Sequence, residues 1–389
     1  MSNNLSKGTS KSPNIIIISL FIIIIIPIIL YFNMNQSEIN DIRTTSQLRG
    51  ISFSRYKKTD VRSQLIESMR NGKVEPACYW CAELICAGHY MEVWETILHF
   101  VGKYIHLGNP KIVIYLDKRY TIFRNIIGQG HFLNELQLRN NISIRKLFAE
   151  IICILSISNK KNSFEPIKIN RMEEFDISQM TERLKAPSTK YIDCIFKPKD
   201  PKEIFIALNE FAYAISDEQK NMMTACYWIE WIIEFDSICR KNKESCFCEK
   251  RVNYNVDHSL QKDIIWILWD TLLYYSNEKQ NKFNDTILHS LKDLFCIKYT
   301  NATSKKRRYL LYFAVSLLTE IIPTNIELIS DKIVLNTVVE QINNIYEQIK
   351  KNEESPNTEY LFSNLESQNT FEQSIKKLEI MNNMMEHDD

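Results

Sequence analysis

The distribution of glycine is the feature of this sequence that most restricts its fold. The chain of 389 residues contains 8 glycines, and the last of them is Gly130. Because glycine adopts positive φ most freely, the rest of the chain is poorly suited to phosphate-binding glycine loops, dinucleotide fingerprints and nucleophile elbows. Many-stranded sandwiches and barrels are also disfavoured, since their hairpins rely on Asn-Gly and Asp-Gly turns. The sequence therefore predicts an all-α protein.

The apolar run at residues 15–32, IIIISLFIIIIIPIILYF, predicts one amino-terminal transmembrane helix, because about 20 apolar residues cross a bilayer. Two lysines precede the run, and Glu38 and Asp41 follow it, so residues 1–14 are expected to stay in the cytoplasm. No small-residue cleavage site follows, which favours an uncleaved single-pass anchor over a signal peptide. The alternative is an isoleucine-rich extension encoded by an AT-rich genome.

The ten cysteines bear on the compartment of the remaining chain. Their spacing is not that of a small secreted disulfide framework. Several lie in apolar helical patterns, where free thiols behave as small buried hydrophobic groups, namely Cys86, Cys153, Cys226 and Cys296. This pattern favours a reducing compartment and opposes translocation of the body across the membrane. The sequence therefore predicts that the chain is anchored in a membrane more firmly than it predicts on which side of the membrane the body lies.

Helical periodicity and composition divide the chain after the apolar run into four parts. A first helical bundle is predicted at 53–157, and a second at 201–350. Residues 158–200 are rich in lysine and proline, which indicates a linker between the bundles. Short connections between the helices favour antiparallel packing. The tail at 351–389 holds nine acidic residues against three lysines, and it is expected to be mobile or to dock on a partner through a short amphipathic helix.

A four-residue sequence, ACYW, occurs at residues 77–80 and again at 225–228. In each place an aliphatic pair follows three positions later. Tyr, Trp and Cys are uncommon residues, so the match suggests that the two bundles are related by duplication. The alternative is that two buried helices acquired the same aromatic packing residues independently.

Two groups of cysteine and histidine residues invite a metal interpretation, because thiolate and imidazole are the ligands that Zn²⁺ prefers. The first group falls on one predicted helix, which cannot surround an ion, so buried thiols are favoured there; it comprises Cys78, Cys81, Cys86 and His89. The second group lies where a helix ends and a polar loop begins, and it comprises Cys239, Cys246, Cys248 and His258. A structural zinc site is the hypothesis for this second group. A disulfide among the same cysteines is the competitor if the domain is luminal.

Residues typical of catalysis occur without a recognisable signature. The first bundle contains four histidines together with Cys78, Cys81 and Cys86, and nothing in their spacing resembles a protease or transferase; the histidines are His89, His99, His106 and His131. The paired carboxylates at 173–174 and 353–354 lie in polar stretches. No catalytic or cofactor-binding residue is predicted, and the protein is expected to be non-enzymatic.

A basic cluster precedes the apolar run at 309–322, and it consists of Lys305, Lys306, Arg307 and Arg308. Four cations at a helix start oppose the helix dipole, which is unfavourable unless an anion lies near. Nucleic-acid phosphate or an anionic membrane surface suits such a cluster, although the acidic tail can also fold back on it. The cluster is therefore a candidate nucleic-acid site in a chain whose formal net charge is only +1.

The stretches TDVRSQLIESMRNGKVEPACYWCAELICAGHYMEVWETI, KYIHLGNPKIVIYLDKRY, ACYWIEWIIEFD and KRRYLLYFAVSLLTE resemble an uncharacterised protein family of mimivirus-like nucleocytoplasmic large DNA viruses. The resemblance covers about residues 53–349. It implies a virus-encoded protein made in infected cytoplasm, and it carries no assigned activity or ligand residues. Attachment to the inner membrane of the virion reconciles this family with the apolar run.

These observations lead to one expected function and one alternative. The expected function is that of a membrane-anchored, non-enzymatic helical interaction or assembly protein of a large DNA virus, located in virion or infected-cell membranes, with protein partners. The alternative is an accessory nucleic-acid-binding protein of viral replication or transcription that uses the basic cluster.

Overall fold

The computed structural model describes most of the chain after the apolar run, and the described residues are 37–129, 135–171, 173–175, 181–244 and 246–354. Within these ranges the chain is helical, as predicted, and its only β-type pairings are two isolated bridges. No helix within these ranges combines the length and the apolar character that crossing a bilayer requires. The run at 15–32 and the tail beyond residue 354 lie outside the described residues, so the anchor and the mobile tail stay predictions.

Among the described residues, five α-helices make up the first half of the body, and their apolar stripes face inward. Gly72 follows the first helix, and its φ of 70° allows the chain to turn into the second helix. The third helix continues into a π-helical turn at Val101–Ile105 and a 3₁₀ turn at His106–Gly108. The five helices are α1 (Lys58–Arg70), α2 (Val74–Cys86), α3 (Tyr90–Phe100), α4 (Lys111–Gln129) and α5 (Ile142–Ile157).

The second half ends its helices without glycine. Lys220, Lys243, Gln280 and Lys298 adopt positive φ at turns between its helices, a conformation that is uncommon for residues with a Cβ. Asparagine and aspartate side chains cap three helix starts by accepting hydrogen bonds from backbone amides. Its longer helices are α6 (Phe205–Ile215), α7 (Met222–Asn242), α8 (Ile265–Glu278), α9 (Lys282–Cys296), α10 (Arg308–Thr319) and α11 (Lys332–Lys350).

Both halves contribute to one continuous hydrophobic core. Helix α11, which the sequence assigns to the second bundle, packs against α2 and α5 of the first half; α4 packs against α9, and α10 packs against the π-helical turn. The connection predicted as a linker also supplies buried residues, Ile169, Ile192 and Ile195. The boundary at 158–200 stays a prediction, and the two halves pack extensively across it. Periodicity does not predict this packing, because it identifies an apolar face without identifying the helix that covers it.

The helix pairs that pack within α1–α5 recur within α6–α10. In both sets the first helix packs against the second, third and fifth, the second packs against the third and fifth, and the fourth packs against the fifth. The repeated ACYW sequence begins at the fourth residue of each second helix. Its Tyr and Trp rings are T-shaped in both copies, with centroids 5.2 Å apart at Tyr79–Trp80 and 5.0 Å apart at Tyr227–Trp228.

Candidate functional site

A groove of about 650 Å³ opens where the two halves meet, between α4 and α9. Helix α4 directs Ile112, Val113 and Leu116 into the core, and the adjoining helical face turns towards α9. We call this surface the central groove, and it is defined by Tyr90, Asp117, Tyr120, Phe123, Asp293 and Ile297. Its size lies in the range of typical ligand pockets.

Aromatic rings form one wall of the central groove. The ring centroid of Phe123 lies 6.1 Å from that of Tyr90, 5.7 Å from that of Trp94, 6.2 Å from that of Tyr120 and 5.5 Å from that of Phe148. Aromatic pairs at such separations stabilise one another by about 0.5–1.5 kcal/mol beyond their area burial. The wall is therefore an apolar surface built from aromatic rings in mutual contact.

Two polar atoms in this aromatic wall have no hydrogen-bond partner among the described residues. They are the Tyr90 hydroxyl and the Trp94 indole nitrogen, one helical turn apart on α3. Burial raises the pKa of Tyr90 well above its ordinary value, so the hydroxyl keeps its proton. A buried polar group without a partner costs about 1–3 kcal/mol.

Two carboxylates, those of Asp117 and Asp293, line the central groove and interact electrostatically. Burial and the nearby charge of Asp293 raise the pKa of Asp117, while the Ser290 hydroxyl, Lys292 and Lys118 act in the opposite direction. Lys292 contacts Asp293 at 3.3 Å, and none of the ion pairs within the described residues includes Asp117. The groove thus presents an incompletely compensated acidic pair beside an apolar wall.

The same groove contains a cysteine, but its state disfavours covalent chemistry. Cys296 lies at the end of α9 and is 6% exposed. Burial and the neighbouring Asp293 raise the pKa of its thiol to about 12. The thiolate is the nucleophilic form of cysteine, so the Cys296 thiol is a weak nucleophile at neutral pH. The groove is better suited to binding than to group transfer.

The basic cluster predicted to bind nucleic acid does not form one surface. The Arg307 side chain is 2% exposed, pairs with Glu95 of α3 and donates a 2.7 Å hydrogen bond to the carbonyl oxygen of Phe295. Arg308 donates to Glu230 at 2.6 Å. Only Lys305 and Lys306 are exposed. The two arginines are therefore engaged within the protein, and two lysines remain as a surface contact.

A second cleft, of about 710 Å³, surrounds the Arg308 ion pair. Burial raises the pKa of Glu230, although the hydroxyl of Tyr312 and the charge of Arg308 oppose this shift. Tyr312 donates to one Glu230 oxygen and Arg308 to the other, each at 2.6 Å. Both carboxylate oxygens are occupied, so this arrangement is a closed structural network.

The structure does not bring the four predicted zinc ligands together. The thiols of Cys239 and Cys246 are in hydrogen-bond contact, but the Cys248 thiol donates to the Asp263 carbonyl oxygen at 3.3 Å. His258 is exposed and lies 3.3 Å from the Lys250 ammonium group. Over the described part of the chain, no three Cys, His, Asp or Glu side chains are placed to hold a metal ion.

The physical reason is that the loop after α7 turns its thiols towards different neighbours. Burial raises the pKa of Cys246 above its ordinary value and raises that of Cys248 to about 12. Cys239 and Cys246 are free in the structure. They are also the two cysteines of this group that lie together, as the disulfide alternative requires.

The first cysteine group has the structure favoured by its helical spacing. Cys78, Cys81 and Cys86 are buried along α2, and His89 lies just beyond that helix, where its Nε2 is 2.8 Å from the Ile51 carbonyl oxygen. His131 lies outside the described residues.

Sequence reasoning missed the central groove because its members are distant in the chain. Tyr120 and Phe123 are expected on the inward face of α4, and that face continues into the groove wall. Asp117 and Asp293 are each unremarkable polar positions on separate helices, so no local signal pairs them. No protein-family model, curated protein or solved structure shows a significant match to the chain.

Proposed function

We propose that the chain is a membrane-attached, non-enzymatic interaction protein of a large DNA virus, and that it binds a protein partner in the central groove. The observation that supports this most is the incompletely compensated Asp117–Asp293 pair beside an aromatic wall. A partner segment with apolar side chains and a basic side chain complements both features. The exposed Ile127, at the groove edge, adds apolar contact area.

The arrangement of the chain ends supports the membrane part of the proposal. The backbone around Ile42 is hydrogen-bonded to Glu354 near the end of the described chain. Only residues 33–36 separate the apolar run from the described body, and four residues span about 14 Å at most. If residues 15–32 cross the bilayer, the body and the start of the acidic tail both lie next to the membrane surface.

The matched packing of α1–α5 and α6–α10 supports a duplication as the origin of this architecture. The ACYW sequence occupies the same place in both sets, and the fourth helices, α4 and α9, pack against each other. The central groove then lies where equivalent helices of the two repeats meet. Superposing the two sets of helices tests this directly: a common fit of all five axes in order is expected, and a fit limited to one helical pair contradicts it.

Two experiments test the proposed function in full-length protein from infected cells. Carbonate washing is expected to leave the protein in the membrane fraction, and deletion of residues 1–35 is expected to release it.

A partner captured by the native chain is expected to be lost with Tyr120→Glu, which adds charge to the groove wall, and retained with the exposed Asp193→Asn. A soluble full-length protein contradicts the membrane attachment, and a partner unaffected by Tyr120→Glu contradicts the groove. DNA or RNA binding that disappears on neutralising Lys305 and Lys306 would select the nucleic-acid alternative instead.

A further inference from the structure

The acidic carboxyl-terminal tail contains a segment whose chemistry matches the central groove. Phe371, Ile375 and Leu378 recur at helical spacing, and Lys376 and Lys377 lie between the second and the third of them. We propose that this segment of the tail, residues 371–379, docks in the central groove of its own chain. This inference rests on the groove being the interaction surface, and it adds that a partner has to displace the tail.

Charge complementarity supports this occupant. The groove contains the acidic pair Asp117 and Asp293, and its rim also carries two cations, Arg124 and Lys298. The tail segment has the opposite pattern, since its two adjacent lysines lie between the carboxylates of Glu372 and Glu379. Lysine ammonium groups near the acidic pair supply the compensating charge that Asp117 lacks among the described ion pairs. The rim cations are then available to the flanking glutamates.

Apolar complementarity supports the same occupant. Tyr120 is half-buried and Phe123 is buried in the groove wall, and Ile127 on the same helix is 40% exposed. An apolar stripe of three residues spans about two helical turns, or about 10 Å. Such a stripe covers the length of α4 between Tyr120 and Ile127. Burial of exposed apolar surface is the favourable contribution here.

The attachment point of the tail places the segment within reach. The Glu354 amide donates to Asp41 at 2.9 Å, and the Asp41 carbonyl oxygen accepts a 3.0 Å hydrogen bond from Arg139. Leu138, the neighbour of Arg139, lines the groove. Residues 355–370, which include the apolar residues Tyr360, Leu361, Phe362 and Leu365, lie between Glu354 and the segment. A stretch of 16 residues reaches about 50 Å when extended, and a flexible chain of that length has an end-to-end distance of about 22 Å.

Because the tail segment and the central groove belong to one chain, a weak intrinsic affinity is enough for the segment to dock. Linkers of this length give effective concentrations of about 1 mM. A segment that binds with a Kd of about 0.1 mM is then docked about ten parts to one. A docked tail segment then competes with weakly binding partners for the groove and is displaced by a tighter one.

Zero-length carbodiimide cross-linking of the full chain in detergent tests the proposal, with mass spectrometry of the cross-linked peptides. Cross-links that join Asp117 or Asp293 to Lys376 or Lys377 are expected. They are expected to disappear in Asp293→Lys, because its exposed side chain then repels the tail lysines. When Lys376→Glu and Lys377→Glu are added to Asp293→Lys, the cross-links are expected to return, now joining an amine in the groove to carboxylates in the tail. The matched control is Asp193→Lys, an exposed change outside the groove, which is expected to leave the cross-links intact.

Hydrogen exchange gives a second measurement that does not depend on cross-linking chemistry. Deleting residues 355–389 is expected to increase amide exchange about tenfold in the second half of α4, in line with the docked fraction, and to leave α2 unchanged. Unchanged exchange in α4 together with no groove–tail cross-links overturns the proposal. Cross-links found only between differently isotope-labelled chains also overturn the proposal, because the tail then docks on a second copy. Cross-links from tail carboxylates to Lys305 or Lys306 overturn it as well, because the tail then docks on the basic cluster. The proposed function survives these failures if Tyr120→Glu still removes a partner.

Discussion

The backbone amide of Ile42 donates a 3.2 Å hydrogen bond to the carbonyl oxygen of Glu354, so the two ends of the described chain are joined. The Glu354 amide in turn donates to Asp41 at 2.9 Å, and Asp41 forms a bidentate ion pair with Arg43. Burial alone raises the pKa of Asp41, but the hydrogen bonds from Arg43 and Glu354 outweigh it and lower that pKa. We call this arrangement the terminal clamp.

The terminal clamp is expected to contribute strongly to stability through its buried ion pair. Arg43 and Asp41 have side chains that are 5% and 0% exposed. Arg43→Ala leaves the Asp41 carboxylate buried without its partner, which typically lowers the free energy of unfolding by about 3–5 kcal/mol. Urea denaturation of the full chain measures the loss.

Arg55→Ala is the matched control for the clamp, because Arg55 pairs with Glu354 while 70% exposed. Exposed ion pairs contribute little to stability, because water screens both charges. Equal losses for the two variants would contradict the assignment of the stabilising role to the buried pair.

Arg307 is expected to act in folding rather than in nucleic-acid binding. It joins α10 to α3 through Glu95, with its Nε 3.2 Å from a Glu95 oxygen, and it also satisfies two carbonyl groups at the end of α9. Arg307→Ala is expected to lower the free energy of unfolding by about 3 kcal/mol, since it leaves these acceptors unpaired. The exposed Lys306→Ala is expected to change it by less than about 0.5 kcal/mol, and chemical denaturation compares the two.

The basic cluster also shows why some of the site could not be predicted from sequence. Four consecutive cations look alike along the chain, but Lys305 and Lys306 end a short helical turn at Thr303–Lys306 and are exposed, whereas Arg307 lies in the bend before α10 and is buried. Helix existence was predictable, because apolar periodicity such as that of α11 is local. The helices that cover α11, and the approach of Asp117 to Asp293, depend on tertiary packing between segments distant in sequence, which no local pattern records.

Stability is expected to fall as the pH is lowered from about 6.5 towards 4, because of His106. This side chain is 1% exposed and stacks on Phe313 with ring centroids 4.8 Å apart. Burial lowers the pKa of His106 to about 4, while Glu320 raises it and Lys161 lowers it. Between those pH values the unfolded chain binds a proton that the folded chain does not, so unfolding becomes easier. A shift of about 2.5 pH units corresponds to about 3 kcal/mol.

The pH effect is checked by urea denaturation at pH 7, 5.5 and 4.5 for native protein and His106→Asn. His106 has a φ of 44° and a ψ of −132°, and asparagine, like histidine, carries a Cβ there, so the variant removes the titrating group without changing the class of residue that has to adopt this backbone conformation. The variant is expected to lose about 3 kcal/mol of the pH dependence, and the remainder includes His99, whose pKa burial also lowers to about 4. His289→Asn, at an exposed position, is the control. A pH dependence that His106→Asn leaves intact contradicts the prediction.

Gly102 is expected to be the glycine at which an added side chain most disturbs the packing between the two halves. It lies in the π-helical turn after α3, and a Cβ placed there would lie 2.9 Å from the Cβ of Tyr309 and 3.0 Å from its carbonyl carbon. Because part of that contact is with backbone, α10 has to shift to admit a methyl group. Gly102→Ala is therefore expected to lower the free energy of unfolding by about 1–3 kcal/mol.

Gly128→Ala, in α4 with nothing within 4 Å of the added Cβ, is expected to raise it by about 0.5 kcal/mol because alanine favours helix. Thermal and urea unfolding of the two variants compare these opposite signs, and a neutral Gly102→Ala would show that α10 packs less closely on the turn than the structure has it.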